Sequence, residues 1–411
     1  MASIAFNSLT LPNGQVLKNR LSKAAMEENL GNPQLVPDAT LIQLYRRWGM
    51  GGVGLIITGN VMVDRLAMTG PGGLALEADT QLEPLKRLAQ AAQQEGAKIW
   101  MQINHPGRQV YQALGGKALS ASDIGVNLGK HSHLFGKPKA MTEADIEDVI
   151  QRFVTTAQQA EAAGFDGVEI HAAHGYLLSQ FLSPLTNQRN DRWGGSIENR
   201  ARLLLEIIRR IRTTVRPTFA VAVKLNSADF QRGGFDLDDA CAVVAMLNPL
   251  GIDALEISGG SYEAPAMQGR TADGRTLARE AYFLEFAAQI AKVANVPVMS
   301  TSGITRLATA EQVITAGVDL VGMGSALAVC PDLPKRWQAH PDFQPEIPRV
   351  EWQDKALSSV ATMALMRRYL RRWSKQMPTF GRLHPWVSLV LDRLRQKRLT
   401  KRYRRLVATQ A

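Results

Sequence analysis

Residues 164–170 read GFDGVEI, and two later stretches repeat the pattern, GIDALEI at residues 251–257 and GVDLV at residues 317–321. A glycine just past the end of a helix can adopt the left-handed conformation that closes the helix. The aliphatic run that follows is typical of a strand buried in a parallel sheet. Each stretch therefore predicts one junction at which a helix is followed by a parallel strand.

Apolar runs that match such strands alternate with longer amphipathic stretches along the first three hundred or so residues. The predicted strands are Leu21–Ala25, Val53–Thr58, Ile99–Ile103, Gly167–Ile170, Phe219–Leu225, Ala254–Ile257, Val298–Thr301 and Leu320–Gly322. The predicted helices include Thr142–Ala163, Ile197–Val215, Leu237–Leu250 and Tyr282–Ala294, where apolar residues recur at three- and four-residue spacing. Eight strands with their helices predict an α/β protein that is a single (β/α)8 TIM barrel.

A hairpin is predicted ahead of the barrel. Ser8–Leu11 and Gln15–Lys18 flank Pro12-Asn13-Gly14, and Asn and Gly both tolerate the positive φ angles of a tight turn. This hairpin is placed to plug the amino-terminal end of the barrel.

The composition is that of an ordinary globular protein, with 45% hydrophobic and 21% charged residues. Its two cysteines, Cys241 and Cys330, are far apart in the chain, which argues against a disulfide framework and a cysteine-held metal cluster. The sequence has neither the pattern of a secretory signal nor an apolar run of the roughly 18 residues that span a membrane. We therefore expect a cytoplasmic protein.

The net charge of +11 is concentrated at the end of the chain. From Lys355 onwards there are 15 Lys or Arg residues and one acidic residue, Asp392, so this part carries +14 and residues 1–354 carry −3. Apolar residues at helical spacing in Ala356–Lys375 and Pro385–Leu406 predict two basic amphipathic helices. The sequence thus predicts a barrel domain at residues 1–340 and a basic helical C-terminal extension at residues 341–411.

Three partners suit such a basic extension. They are the acidic barrel or a second copy of the chain in a homo-oligomer, an acidic membrane surface to which the protein would be peripheral, and a nucleic-acid backbone. No aromatic-interleaved motif supports sequence-specific recognition of nucleic acid.

Polar and glycine-rich clusters follow the predicted strands, where a TIM barrel places its ligands. They are Gln102–Arg108 after the third strand, His171–Tyr176 after the fourth, Lys224 on the fifth, Ser302-Gly303 after the seventh and Gly322–Ser325 after the eighth. Spacing alone leaves the pair His171 and His174 open to a structural, a catalytic or a zinc-binding role, although no third zinc ligand is evident. The glycines after the last two strands suit a phosphate site.

Several of these segments resemble the old yellow enzymes, also called the NADH:flavin oxidoreductase/NADH oxidase family. The most specific is HAAHGYLLSQFLSPLTNQRNDRWGGSIENRARL from His171, and GGVGLIITGNVMVD from Gly51 and GMGSALAVCPDLP from Gly322 continue the likeness. The resemblance covers roughly residues 5–340 and not the extension.

The resemblance implies bound FMN, with NADH or NADPH as a transient reductant, and a small-molecule carbonyl substrate. His171 and His174 match the pair that binds the carbonyl oxygen, and Tyr176 matches the proton donor of ene-reduction. Residues at the family's FMN-contact positions are Ala25, Met26, Gly59, Gln102, Lys224, Ser302, Gly303, Gly324 and Ser325. No dinucleotide-binding Gly-x-Gly-x-x-Gly follows a strand, which agrees with a nicotinamide that binds and leaves.

Two positions depart from the family pattern. Glu27 stands where a small hydroxyl or thiol residue is more usual, and Ser325 stands where many relatives have an arginine on the phosphate. Two alternative functions also remain. One is a flavin NADH oxidase or dehydrogenase with another acceptor, and the other is an inactive barrel that is recruited through its basic extension. The sequence leaves open the physiological substrate, the choice between NADH and NADPH, and the oligomeric state.

Overall fold

The structure is a computed structural model that describes residues 3–268, 280–301, 303–377 and 383–410. Eight parallel strands close into one barrel, because β3 pairs with β4 as well as with β2. The strands are β1 (Leu21–Lys23), β2 (Leu55–Ile57), β3 (Lys98–Asn104), β4 (Gly167–Ala172), β5 (Ala220–Asn226), β6 (Ala254–Ser258), β7 (Val298–Thr301) and β8 (Leu320–Met323). The prediction of a TIM barrel is confirmed.

Each predicted apolar run overlaps one barrel strand, with differences of at most two residues at either end. The first run extends to Ala25 whereas β1 ends at Lys23, although the Ala24 N–H still donates to the carbonyl oxygen of Met323 on β8 at 3.1 Å. Along β2, Leu55 and Ile57 point into the barrel and Ile56 points outward to the helices. Both faces of the barrel wall are thus buried, which explains why its strands are uniformly apolar.

Twelve helices lie among the described residues. They are α1 (Ala39–Met50), α2 (Glu83–Gln93), α3 (Glu143–Ala162), α4 (Leu177–Leu182), α5 (Ile197–Arg212), α6 (Leu237–Leu247), α7 (Leu284–Ala291), α8 (Leu307–Thr315), α9 (Ser325–Val329), α10 (Leu333–Ala339), α11 (Lys355–Ser374) and α12 (Pro385–Gln410). Helix α6 is shorter than predicted. It gives way to a 3-10 turn at Asn248–Leu250, where Pro249 has no N–H to continue the helix.

The predicted hairpin forms from Leu9–Thr10 and Val16–Leu17, and Gly14 takes the positive φ of 84° that its turn requires. Leu11 and Leu17 are buried against Trp100 and the other inward side chains of the barrel. The side chain of Gln15 donates to the carbonyl oxygen of Thr218, which precedes β5, at 2.8 Å. The hairpin therefore closes the amino-terminal end of the barrel, as predicted.

The C-terminal extension forms two helices, α11 and α12, as its pattern predicts. Helix α11 packs against α1 and α9, and the Arg47 guanidinium of α1 lies 4.7 Å from the ring centroid of Trp373. The buried carboxylate of Asp392 on α12 accepts hydrogen bonds from Arg367 at 2.8 Å and Arg371 at 2.9 Å on α11. Because the extension packs directly on the barrel, a domain boundary at residue 340 stays a prediction.

Helix α12 crosses the carboxyl-end rim of the barrel. Arg395 donates to the carbonyl oxygen of Asn29 at 2.9 Å, and Arg402 donates to that of Gly31 at 2.8 Å. The Tyr403 hydroxyl donates to the carbonyl oxygen of Arg65 at 2.9 Å. These carbonyls belong to the loops after β1 and β2, so the extension is attached to the end of the barrel that carries the predicted site. No helix within the described ranges is long and apolar enough to cross a membrane.

Candidate active site

The turn after β4 brings His171, His174 and Tyr176 together. His174 has a φ of 60° and Gly175 a φ of 73°, so the chain reverses sharply before α4 begins. The His174 N–H donates to Asn226 Oδ1 at 3.1 Å. This hydrogen bond helps to hold His174 in the left-handed region of φ, which is unfavourable for residues other than glycine. The His171 ring lies 5.0 Å from the His174 ring and 4.9 Å from the Tyr176 ring, both measured between centroids.

Hydrogen bonds constrain the protonation of the two imidazoles. His171 Nδ1 accepts the Ala173 N–H at 3.2 Å, so the proton of a neutral His171 ring is on Nε2. His174 Nε2 lies 2.7 Å from the Ser258 hydroxyl oxygen on β6. Burial holds the pKa of both histidines well below the usual range, with further lowering by the positive charge of Lys224. Both rings are therefore neutral at pH 7.

Tyr176 is the candidate proton donor beside the two histidines. Its hydroxyl oxygen lies 3.1 Å from that of Tyr262 in the loop after β6. Burial raises the pKa of Tyr176 well above 10, and the neighbouring Tyr262 and Glu27 raise it further. The phenol is thus protonated at neutral pH and has a proton to donate.

Buried polar side chains of four adjacent strands meet inside the barrel. Gln102 on β3 donates to Glu169 Oε2 on β4 at 2.6 Å, and Lys224 Nζ on β5 donates to Glu256 Oε1 on β6 at 2.5 Å. His171 and Lys224 are register partners on β4 and β5. Burial, followed by repulsion from Glu256, raises the pKa of Glu169 well above its usual range. The network therefore holds a carboxyl that binds a proton more readily than usual beside a lysine–glutamate ion pair.

Glu169 and Glu256 are site residues that were not predicted from the sequence, although a signal for them was present. Both occupy the sixth position of the repeated stretches GFDGVEI and GIDALEI. An acidic residue inside an otherwise apolar buried strand requires a partner. The same position in β4 and β6, the two strands that flank β5, could have indicated that the two carboxyls share one.

A second buried network lies behind the loops after β1 and β2. Lys23 Nζ is 3.2 Å from Glu28 Oε1, which also accepts the Tyr45 hydroxyl at 2.7 Å. The Tyr45 oxygen accepts the Gly59 N–H at 3.0 Å. A β-carbon on Gly59 would lie 2.3 Å from the Met26 carbonyl oxygen, so only glycine fits there. This network fixes the backbone at two of the predicted FMN contacts.

The other predicted cofactor residues lie around the same rim. Ala25 and Met26 follow β1, Gly303 follows β7 with a φ of 68°, and Gly324 follows β8 with Met26 beside it. Ser325 is exposed at the first position of α9. Ser302 lies outside the described residues.

Glu27 lies within the site. It is half-buried, and its Oε1 accepts a hydrogen bond from the Asn60 side-chain amide at 3.0 Å. Its negative charge is close enough to raise the pKa values of Tyr176, Tyr262 and Tyr111. This departure from the family pattern thus adds a carboxylate next to the tyrosines.

The donor set fits FMN. A flavin ring presents carbonyl and ring-nitrogen groups, for which the Gln102 amide and the Lys224 ammonium are suitable buried donors. The backbone at Gly303 and Gly324 follows adjacent strands and is open enough for a phosphate to approach. Within the described ranges, no group of three or more His, Cys, Asp or Glu side chains is arranged to hold a metal ion. The site is therefore that of a cofactor-dependent TIM-barrel oxidoreductase.

This chain belongs to the NADH:flavin oxidoreductase / NADH oxidase family, whose model matches residues 5–342. It is an FMN-dependent oxidoreductase of the old yellow enzyme type that uses NAD(P)H as its reductant. It is 36% identical over 349 residues to "NADH-dependent flavin oxidoreductase iliE" of Hypocrea jecorina (strain QM6a), covering 80% of this chain and 87% of that protein. It is also 36% identical to the "NADH oxidase" of Thermoanaerobacter brockii, of which it covers 48%, with 78% of this chain aligned.

Two solved structures share the fold. An old yellow enzyme homologue from Zymomonas mobilis superposes with a TM-score of 0.71 at 25% identity, over 84% of this chain and 94% of that one. A 2-naphthoyl-CoA reductase in complex with 2-naphthoyl-CoA superposes with a TM-score of 0.74 at 27% identity, over 82% of this chain and 52% of that one. The chain thus spans about half the length of some relatives and most of the length of others.

A buried histidine beside the site predicts a loss of stability in acid. Burial lowers the pKa of His105 from 6.5 to about 4. The unfolded chain therefore binds more protons between these two values, and stability that is fully present above pH 6.5 is lost as the pH falls towards 4. At pH 5 we expect His105 alone to cost about 2 kcal/mol of the free energy of unfolding.

Denaturant unfolding at pH 7 and pH 5 measures this loss. His105→Gln should reduce the difference between the two pH values, whereas His133→Gln, at an exposed histidine, should leave it as in the parent chain. An unchanged difference in His105→Gln would show that His105 titrates normally.

Proposed function

We propose that this chain reduces the C=C bond of α,β-unsaturated carbonyl compounds. The observation that carries the proposal is a set of two neutral imidazoles and one protonated phenol, in which the His174 and Tyr176 rings each lie about 5 Å from the His171 ring between centroids. Such a set offers donors for a carbonyl oxygen and a proton for the adjacent carbon. FMN, when bound, supplies the hydride exchange between NAD(P)H and the substrate.

The imidazoles stabilise the negative charge that develops on the substrate's oxygen. His171 Nε2 carries a proton and is the first donor. If the Ser258 hydroxyl donates to His174 Nε2, the proton of His174 is on Nδ1 and gives a second donor. Fixed donors in a site that excludes water stabilise such charge strongly. A thioester carbonyl, as in the naphthoyl-CoA bound by one similar protein, is one group that they would suit.

Tyr176 donates the proton that completes the reduction. Its raised pKa keeps the hydroxyl protonated across the neutral range, and Tyr262 at 3.1 Å is placed to take part in replacing the proton. Lys224, buried near His171, supplies the positive charge that favours an anionic reduced cofactor. Ala25, Met26, Gly59, Gln102, Ser302, Gly303, Gly324 and Ser325 would complete the FMN site.

An anaerobic titration tests the proposal. The absorbance of protein-bound flavin should bleach with NADH or NADPH and return when 2-cyclohexen-1-one is added, since the enone then accepts the hydride. Return only on admission of air or a quinone would favour the rival function, an oxidase or dehydrogenase with another acceptor. Failure to bind flavin even with added FMN would support the third reading, an inactive barrel.

The macromolecular partners of the chain and its cellular compartment are also proposals. Exposed apolar side chains on α11 and α12 favour contact between the extension and a membrane surface or a second copy of the chain. Cys241 and Cys330 are unpaired, which supports a reducing compartment such as the cytoplasm.

A further inference from the structure

Exposed apolar side chains are concentrated on the C-terminal extension. Among the described residues, eight of the fourteen large hydrophobic side chains that are exposed lie in or beside α11 and α12. They are Val360, Met363, Met377, Trp386, Val387, Val390, Leu391 and Leu394. Scattered exposed leucines are normal on a protein surface, but a contiguous group marks an interaction site.

Five of these side chains form one stripe along the first half of α12. Trp386, Val390 and Leu394 are spaced four residues apart, and Val387 and Leu391 lie between them on the same side of the helix. Leu394 is the most exposed, at 61%. The opposite side of α12 carries Leu389, Leu399 and Tyr403, which are buried against α11 and the barrel. One face of the Trp386 ring stacks on Trp352, at 4.3 Å between ring centroids, and the rest of the stripe faces away from the protein.

The same side of α12 becomes basic along its second half. At 100° per residue, the side that carries the apolar stripe continues through Lys397, Arg398, Lys401, Arg404 and Arg405, all of which are exposed. The single acidic residue after Lys355, Asp392, is buried between Arg367 and Arg371. The outer face of α12 is thus apolar, then cationic, with no exposed acidic side chain.

We infer that the outer face of α12 docks on an anionic lipid bilayer, with the helix lying in the plane of the interface. Leucine, valine and tryptophan side chains enter the boundary between headgroups and acyl chains, and basic side chains on the same helix attract anionic headgroups. The charge distribution orients the docking, because residues 1–354 carry a net charge of −3 and residues 355–411 carry +14. This inference does not depend on the substrate proposed above.

Charge also argues against the other occupants of this face. A two-fold contact between copies places the same patch on both partners, so the basic half of α12 would meet either the like charges or the apolar stripe of the other copy, and neither neutralises it. A nucleic acid would attract the basic residues but leave the stripe from Trp386 to Leu394 exposed to water. Of these three occupants, only an anionic bilayer both buries the apolar half of the helix and neutralises its basic half.

Vesicle co-sedimentation of the full FMN-loaded chain tests the inference. We expect binding to vesicles of phosphatidylcholine with phosphatidylglycerol, little binding to phosphatidylcholine alone, and weaker binding as salt is added. Leu394→Glu should weaken binding about tenfold or more, because it removes an apolar contact and adds a repelled charge. Lys401→Gln should lower the affinity severalfold and flatten its salt dependence.

Val16→Glu is the matched control, since Val16 is 52% exposed on the hairpin at the opposite end of the barrel. It should bind like the parent chain. Bound flavin and circular dichroism confirm folding of each variant, and Leu391→Glu replaces Leu394→Glu if the latter is unstable. Equal binding to both vesicle types, or full binding by both variants, would overturn the inference. Sedimentation equilibrium provides a further test. The inference would also be overturned if the parent chain is an oligomer, these variants are monomers, and neither the parent chain nor the variants bind vesicles.

Discussion

Replacing Tyr176 with phenylalanine is expected to slow the return of flavin absorbance on addition of 2-cyclohexen-1-one by about 10²–10⁴-fold. The ring contact with His171, at 4.9 Å between centroids, is retained in this variant, so the loss reports the missing proton. Bleaching by NADH or NADPH should keep its rate, because it requires no proton from Tyr176. Anaerobic stopped-flow absorbance separates the two half-reactions.

Tyr262→Phe is the comparison for this experiment. It removes the hydroxyl that lies 3.1 Å from the Tyr176 hydroxyl but leaves the proposed donor in place. We expect the rate with the enone to change by less than about tenfold. A large loss in Tyr262→Phe with little loss in Tyr176→Phe would assign the proton to Tyr262, and equal small effects would place the donor elsewhere.

Breaking the buried pair Lys23 and Glu28 should produce the largest change in stability. Lys23 is fully buried and Glu28 is nearly so, and a buried charge without its partner costs about 3–5 kcal/mol. Glu28→Gln should therefore lower the free energy of unfolding by that amount. It should also weaken FMN binding, because Glu28 holds the Tyr45 hydroxyl that accepts the Gly59 N–H.

The pH dependence of this loss has a definite sign. Burial lowers the pKa of Lys23, so the unfolded chain binds the proton more readily and stability rises with pH below the usual lysine pKa. Without Glu28 the pKa of Lys23 falls further, and the rise should begin at lower pH. Urea unfolding between pH 6 and pH 9, with FMN affinity measured by flavin fluorescence, records both effects.

Two controls distinguish the cost of leaving a buried charge without a partner from the cost of losing an ion pair. The double variant Lys23→Met, Glu28→Gln leaves no charge in the cluster and should recover most of the lost stability. Glu95→Gln breaks the pair with Lys335, at 2.8 Å between partly exposed side chains, and should cost less than about 1 kcal/mol. A Glu28→Gln loss as small as that of Glu95→Gln would contradict the expected role.

The barrel was predictable because its signals are local. The stretch from Gly164 to Ile170 carries both the end of a helix and the start of a buried strand, and the same holds for Gly251 to Ile257. The turn at Gly14 is equally local. Strand ends were less certain, since an apolar run does not reveal where hydrogen bonding to the neighbouring strand stops.

The site was predictable only in part, because much of it is built across strands. The turn containing His171, His174 and Tyr176 was found from one segment. The partners Ser258 and Tyr262 come from the β6 region, more than eighty residues away, and their contacts depend on the closed barrel. Lys23 was read only as part of an apolar run, because its partner Glu28 lies beyond the end of β1.

The attachment of α12 to the rim has a thermodynamic consequence. Arg395 and Arg402 hold the loop after β1, and that loop begins with the predicted FMN contacts Ala25 and Met26. Any change that bilayer adsorption makes in this loop alters the affinity for FMN. By linkage, FMN must then change the affinity for the bilayer by the same factor. Apoprotein and holoprotein would then partition differently between lipid and water, which couples cofactor supply to the distribution of the enzyme.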